Sequence, residues 1–277
     1  MDDAESREFP TDGSSQISFM GTRINSMAED DPLFEIRDRA VVIAGAGGVL
    51  GGETARTLHG RGARLILFDI DEARLRAVEA DCPGAVARVA DITDEVQLRG
   101  VTAKAMEEFG RIDGAVNAAG LFPIEPSLDA DAATFRECID VNLTGAFLFS
   151  RSVARTMQDS GGRIVHIASV SSFVANAEYA AYASSKAALA QLVRVLAREW
   201  APKNITVNAI GPALIDTPMT EVYLAEPRFR EQAVAVIPMG RLAEPRDLVA
   251  TIILLLAEGG AFITGQTIYV DGGRTLV

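Results

Sequence analysis

From position 40 to the end of the chain, short aliphatic and β-branched runs alternate with segments of helical length, and few folds accommodate that rhythm. The runs occupy 40–44, 64–68, 85–90, 114–117, 163–168, 205–210 and 267–270. Between them lie helical segments at 52–60, 73–80, 95–109, 130–157, 180–200 and 245–257. Strictly alternating elements of this kind predict one doubly wound α/β sheet of seven mainly parallel strands, with helices on both faces. Ligands then bind at the carboxyl ends of the strands. The stretch 217–241 breaks the rhythm around Pro218, Pro227 and Pro238, and is expected to be an irregular lid.

The bulk numbers narrow the partners. In 277 residues, 48% are apolar, enough for a large core, and the net charge is −12. That balance argues against a nucleic-acid surface or an anionic membrane surface, since both draw affinity from clustered cations. Half of the charge sits in residues 1–32, where eight acids face only Arg7 and Arg23. With little apolar periodicity, this acidic extension is expected to be disordered, leaving 33–277 as the folded domain. The longest purely aliphatic stretch, 252–257, is far short of the ~20 residues that span a bilayer. Cys82, Cys138, His59 and His166 form no zinc-ligand spacing, so no metal is expected. The unpaired thiols suit a reducing, cytoplasmic setting. His166, inside an aliphatic run, reads as a packed strand residue and not as a catalyst.

The first strand runs into the glycine-rich turn Gly45-Ala46-Gly47-Gly48-Val49-Leu50-Gly51-Gly52. Glycines here let the backbone approach a pyrophosphate at the amino end of the next helix. A strict G-x-G-x-x-G from Gly45 fails at Leu50, and a P-loop fails because Glu53 stands where a lysine must meet phosphates. The wider G-x-x-x-G-x-G spacing keeps Gly45 and Gly51 but puts Val49 at its middle glycine. A β-branched residue resists positive φ, so Val49 is expected to narrow the phosphate approach. Asp69 ends the second run 24 residues after Gly45, where a carboxylate can accept from a ribose diol and would repel a 2′-phosphate. With no lysine or arginine in the turn, NAD is predicted over NADP.

Tyr182 and Lys186 stand one helical turn apart in Tyr-Ala-Ser-Ser-Lys, and so share a face. With four tyrosines and three lysines in the chain, chance would supply roughly 0.04 such pairs. A free phenol titrates near 10, too high for an efficient base at neutral pH. An ammonium about 4.5 Å away, at an effective dielectric of ~20, would contribute about 3.7 kcal/mol and bring the phenol to about 7–8.

Taken in order, the glycine turn, Asp69, Asp91-Ile92, Asn117-Ala118-Ala119-Gly120, Val141-Asn142-Leu143, Ser169, Tyr182 with Lys186, Asn208–Pro212 and Ile215–Pro218 resemble the short-chain dehydrogenase/reductase family over residues 35–277. The resemblance implies a Rossmann-type fold and an oxidoreductase that moves hydride between NAD(H) and a secondary alcohol or ketone. Tyr182 would be the acid/base, Lys186 would hold the nicotinamide ribose and depress the phenol pKa, Ser169 would bond the substrate oxygen, and Asn142 would position a relay water. Cofactor contacts would come from Gly45, Gly48, Leu50, Gly51, Asp69, Asp91, Ile92, Asn117, Ala119, Ile215 and Thr217. Relatives usually assemble as tetramers through 130–157, 180–200 and 245–277, which implies a homotetramer or homodimer. An NADPH-dependent 3-oxoacyl-thioester reductase and a non-catalytic nucleotide sensor are the competing readings. Leu121, Phe122, Ile124, Phe173, Val174, Met219, Val222, Tyr223 and Leu224 predict a mostly apolar substrate pocket, and no cationic residue is seen waiting for a carboxylate.

Overall fold

The aliphatic runs lack polar alternation because they are buried on both faces, as in any sheet covered by helices on each side. The computed structural model describes residues 32–277. Its strands are β1 (Ala40–Ala44), β2 (Arg64–Asp69), β3 (Val86–Val89), β4 (Gly114–Asn117), β5 (Gly162–Ile167), β6 (Ile205–Pro212) and β7 (Thr267–Val270). All pair in parallel, in the order β3-β2-β1-β4-β5-β6-β7. The chain winds outward from β1 to β3 and then returns to the far side of β1 as β4. That reversal opens a crevice at the carboxyl ends of β1 and β4.

The helices are α1 (Val49–Gly60), α2 (Glu72–Asp81), α3 (Glu95–Phe109), α4 (Ala132–Ile139), α5 (Ala146–Thr156), α6 (Ala180–Trp200), α7 (Pro218–Leu224), α8 (Pro227–Ala235) and α9 (Pro245–Leu256). Asp71, Asp94 and Asp131 cap α2, α3 and α4 with their side chains. One core fills the face covered by α3, α5 and α6, around Phe68, Phe149 and Leu189. The other fills the face covered by α1, α2 and α9, around Leu58, Leu75 and Ile252.

Two expectations need correction. The segment 130–157 is not one helix: a π-helical turn, Asp140–Gly145, separates α4 from α5. The stretch 217–241 is not irregular, since it contains α7 and α8, and Pro218 and Pro227 open them as first-turn prolines. These two helices have their own small core of Leu224, Ile237 and Leu242 against Val170 and Ala213. The acidic extension expected over 1–32 lies outside the described residues, apart from Pro32.

Candidate active site

β1 delivers the chain into Gly45, which takes φ 70° and packs so tightly on β4 that a Cβ would sit 2.6 Å from the Ala119 amide nitrogen. Gly48 N–H donates to the Gly45 carbonyl at 3.1 Å, and Gly52 N–H donates to Gly48 at 2.7 Å, which starts α1. Gly51 has no room for a side chain, because a Cβ would run into the Gly45 carbonyl. α1 has no side-chain cap and no acid in its first turn, so its amino end stays bare. Val49 is the first residue of α1, and positive φ falls on Gly45 alone within the turn, so the β-branch meets no backbone strain, while its side chain lines the cleft beside the turn. Asp69, at the end of β2, accepts from Gly47 N–H at 2.9 Å and from Asp71 N–H at 3.0 Å.

On the far side of the crevice, α6 starts at Ala180, which places Tyr182 in its first turn. The Lys186 Nζ lies 5.6 Å from the centroid of the Tyr182 ring and donates to the Ile167 carbonyl at 2.8 Å. Ser169, just beyond β5, is buried beside Tyr182, and its Oγ accepts from Ser171 N–H at 3.1 Å. The π turn carries Asn142, whose amide accepts from Leu121 N–H at 2.7 Å and donates to Leu121 O and Ser185 Oγ, both at 2.9 Å. Asn142 therefore pins the loop after β4 to the helix beneath Tyr182. Ser150 donates to the Ala146 carbonyl, so its oxygen accepts from His166 Nε2–H at 2.8 Å. That leaves His166 Nδ1 to accept from the Asn117 amide at 3.3 Å.

Glycine turn and catalytic wall face one cleft of about 720 Å3. Of the predicted residues, Gly48, Leu50, Gly51, Ala119, Ser169, Tyr182, Lys186, Ile215 and Thr217 line it. Gly45, Asp69, Asp91, Ile92, Asn117 and Asn142 do not. Asp91 is occupied with Thr93, Ile92 is buried against Gly145, and Asn117 is spent on His166 and the Ala119 amide.

The profile described as enoyl-(acyl carrier protein) reductase matches residues 45–275. The galactitol 2-dehydrogenase (L-tagatose-forming) of Cereibacter sphaeroides is 35% identical, with 88% of this chain and 98% of that one covered. The NAD-dependent glycerol dehydrogenase of Listeria innocua is 33% identical, with 89% and 97% covered. The crystal structure of levodione reductase superposes with a TM-score of 0.83 at 32% identity, covering 87% of this chain and 99% of that one. The chain belongs to the short-chain dehydrogenase/reductase family. It is an oxidoreductase that acts on CH–OH groups, and its family uses NAD(P).

As a member of that family the chain needs room for a dinucleotide, and the bare amino end of α1 over a turn with glycine at 45, 47 and 48 fits a pyrophosphate. The catalytic pair departs from expectation. Burial pushes the Tyr182 hydroxyl up to about 12, with the Ser169 hydroxyl beside it pulling the other way. Burial also pushes Lys186 down to about 8. The ammonium is drawn toward the Ile167 carbonyl, so desolvation outweighs its pull and the phenol does not drop to the expected 7–8. His166 is pushed down to about 3 by burial and stays neutral, a packed strand residue as read from sequence.

The pocket lining also differs. Leu121, Phe122 and Met219 line it, but Ile124, Val174 and Tyr223 do not, Phe173 and Val222 point to solvent, and Leu224 is buried in the small core of α7 and α8. Phe122 meets Tyr182 edge-on, with centroids 4.6 Å apart, and also touches Tyr179 and Tyr223. Sequence reasoning missed Arg74, Asn176 and Arg274, which all line the cleft. Arg74, in α2, reaches the cleft only because that helix packs beside the glycine turn. Arg274 is far from every other site residue in sequence, and no local pattern marks it.

Proposed function

We propose that this dehydrogenase prefers NAD and interconverts a secondary alcohol and a ketone, with Tyr182 as the general acid/base. The observation that carries the reading is the convergence of Ser169, Tyr182 and Lys186 on one wall of a cleft whose opposite end is an uncapped glycine turn. Gly48, Leu50 and Gly51 would hold the pyrophosphate, Asp69 the adenosine ribose and Lys186 the nicotinamide ribose, with Ala119, Ile215 and Thr217 along the dinucleotide. Gly45 shapes the turn, and Asp91, Ile92 and Asn117 support the adenine side. When bound, the nicotinamide supplies or accepts the hydride. Ser169 and Tyr182 bond the substrate oxygen, where charge develops. Protonated at neutral pH, the Tyr182 hydroxyl has a proton to give to the alkoxide formed in ketone reduction. The amino end of α6 beneath Tyr182 favours the phenolate that remains. Asn142 acts as a positioning residue through Leu121 and Ser185, and water relay by it remains part of this proposal.

The assembly is read as a homotetramer, with a homodimer as alternative. No helix among the described residues is long and apolar enough to cross a membrane. Cys82 and Cys138 are free and buried, which supports a cytoplasmic reading.

Tyr182→Phe is expected to lower ketone-reduction kcat by about 10²–10⁴-fold while leaving NADH affinity within about threefold. Unchanged turnover, read from absorbance of the reduced cofactor, defeats the assignment. The NADPH reading gains one observation: Arg74 lies beside the turn, its Cβ 3.0 Å from where a Gly47 Cβ would stand. Against it, Asp69 lies equally close, and the Arg74 guanidinium is engaged by Asp71 at 3.2 Å. Asp69→Ser is therefore expected to shift the NADH-to-NADPH ratio of kcat/KM toward NADPH by about tenfold or more. An unmoved ratio in a paired coenzyme assay removes Asp69 from the selection.

A further inference from the structure

The cleft contains a cation that hydride transfer does not use. We infer that Arg274 receives a carboxylate on the substrate, so that the natural substrate pair is a hydroxy acid and its oxo acid. This rests on the dehydrogenase reading above and deepens it.

Arg274 stands in the last turn after β7, half-buried and facing the cleft. One guanidinium nitrogen donates to the Asn176 side-chain oxygen at 3.2 Å, the other to an oxygen of the carboxylate that ends the sequence at Val277, at 3.1 Å. A guanidinium carries five N–H donors in a planar fork, so these two contacts fix its plane without exhausting it. No aspartate or glutamate side chain among the described residues lies within 4.0 Å of it, so the Val277 carboxylate is its one anionic contact there, and an arginine can hold two carboxylates. The obvious candidate, Asp271, is spent on the Gly273 and Thr275 amides.

Position supports the same conclusion. Asn176 donates to Ser171 Oγ at 3.4 Å, and Ser171 N–H donates to Ser169 Oγ at 3.1 Å. Arg274 thus belongs to a continuous polar wall that ends at the serine facing the reacting oxygen. A carboxylate seated bidentately on the fork would orient the carbinol carbon beneath Ser169 and Tyr182. Of the cations lining the cleft, Arg74 is engaged by Asp71 and Lys186 by the Ile167 carbonyl, which leaves Arg274 as the one on the wall that runs to Ser169.

The test uses the full-length protein saturated with NADH. Calorimetric titration with hexanoate and with the neutral, nearly isosteric hexanamide reads the anion preference without requiring turnover. Wild type is expected to bind hexanoate about tenfold or more tightly than hexanamide, Arg274→Met to lose that ratio, and Arg274→Lys to keep part of it. In parallel, 3-oxobutanoate, 4-oxopentanoate and 5-oxohexanoate are compared with their methyl esters as ketone substrates. The acid-to-ester ratio of kcat/KM should exceed about tenfold for at least one length and fall toward unity in Arg274→Met. Equal binding of hexanoate and hexanamide by wild type overturns the proposal. So does an Arg274→Met variant that keeps the ratio, or that weakens NADH by the same factor, which would make Arg274 a cofactor contact. Absence of any ketone reduction, with the hexanoate preference intact and lost in Arg274→Met, would instead sustain the anion site and defeat the hydride-transfer reading.

Discussion

Two titrating side chains that line the cleft illustrate how burial decides chemistry at the residue scale. The Tyr182 and Lys186 types and their spacing are legible in the sequence, but the direction of the phenol shift is not, because it depends on how much water the surrounding walls exclude. His166 shows the same effect with a testable consequence. Its folded pKa of about 3 lies below the ordinary value near 6.5, so the unfolded chain binds a proton that the fold refuses. The associated stability is fully present above pH 6.5 and falls by about 1.4 kcal/mol per pH unit as pH drops below it. Thermal melts between pH 6.5 and 5 should show a shallower decline for His166→Gln than for wild type. Parallel slopes would place the acid sensitivity elsewhere.

At the scale of elements, α1 and its glycine turn were read from glycine spacing, yet the start of the helix was placed three residues late. The strand-to-helix corner was visible as composition, whereas which glycine needs positive φ depends on the approach of β4. Gly51 and Gly60 sit in the same helix with opposite roles. A Cβ at 51 meets the Gly45 carbonyl, while one at 60 meets nothing within 4 Å. Gly51→Ala is accordingly expected to destabilise by about 2–3 kcal/mol and to weaken NADH binding. Gly60→Ala should stabilise by about 0.5–1 kcal/mol. Urea denaturation of the two variants checks both signs, and a neutral Gly51→Ala would refute the close packing of α1 on the turn. The π turn at 140–145 gave no sequence signal, since a helical period carries through it. It exists where Asn142 reaches across to the Leu121 backbone, a contact 21 residues away in sequence.

For the molecule as a whole, the sheet carries a core on each face, and α7 and α8 add a separate small core. Leu224 belongs to that small core. Leu224→Ala should therefore raise ketone KM by about tenfold while lowering Tm by less than about 4 °C. A large Tm loss with unchanged KM would show instead that α7 and α8 are part of the main folding unit. The alternating runs determined by themselves that this chain forms a doubly wound parallel sheet, because a strand period buried on both faces has few other solutions. The ordered series from the glycine turn through Ser169, Tyr182 and Lys186 pointed to the family, and the Tyr182–Lys186 spacing put both side chains on one helix face, because residues one helical turn apart meet in any helix. Only the tertiary structure decided what stands opposite them. Arg274 reaches the cleft because β7 lies at the sheet edge and returns the end of the chain over Asn176, and Arg74 arrives through the packing of α2 beside the glycine turn. Such contacts join residues far apart along the chain, so no local period or spacing encodes them, and they exist only once the strands are in register.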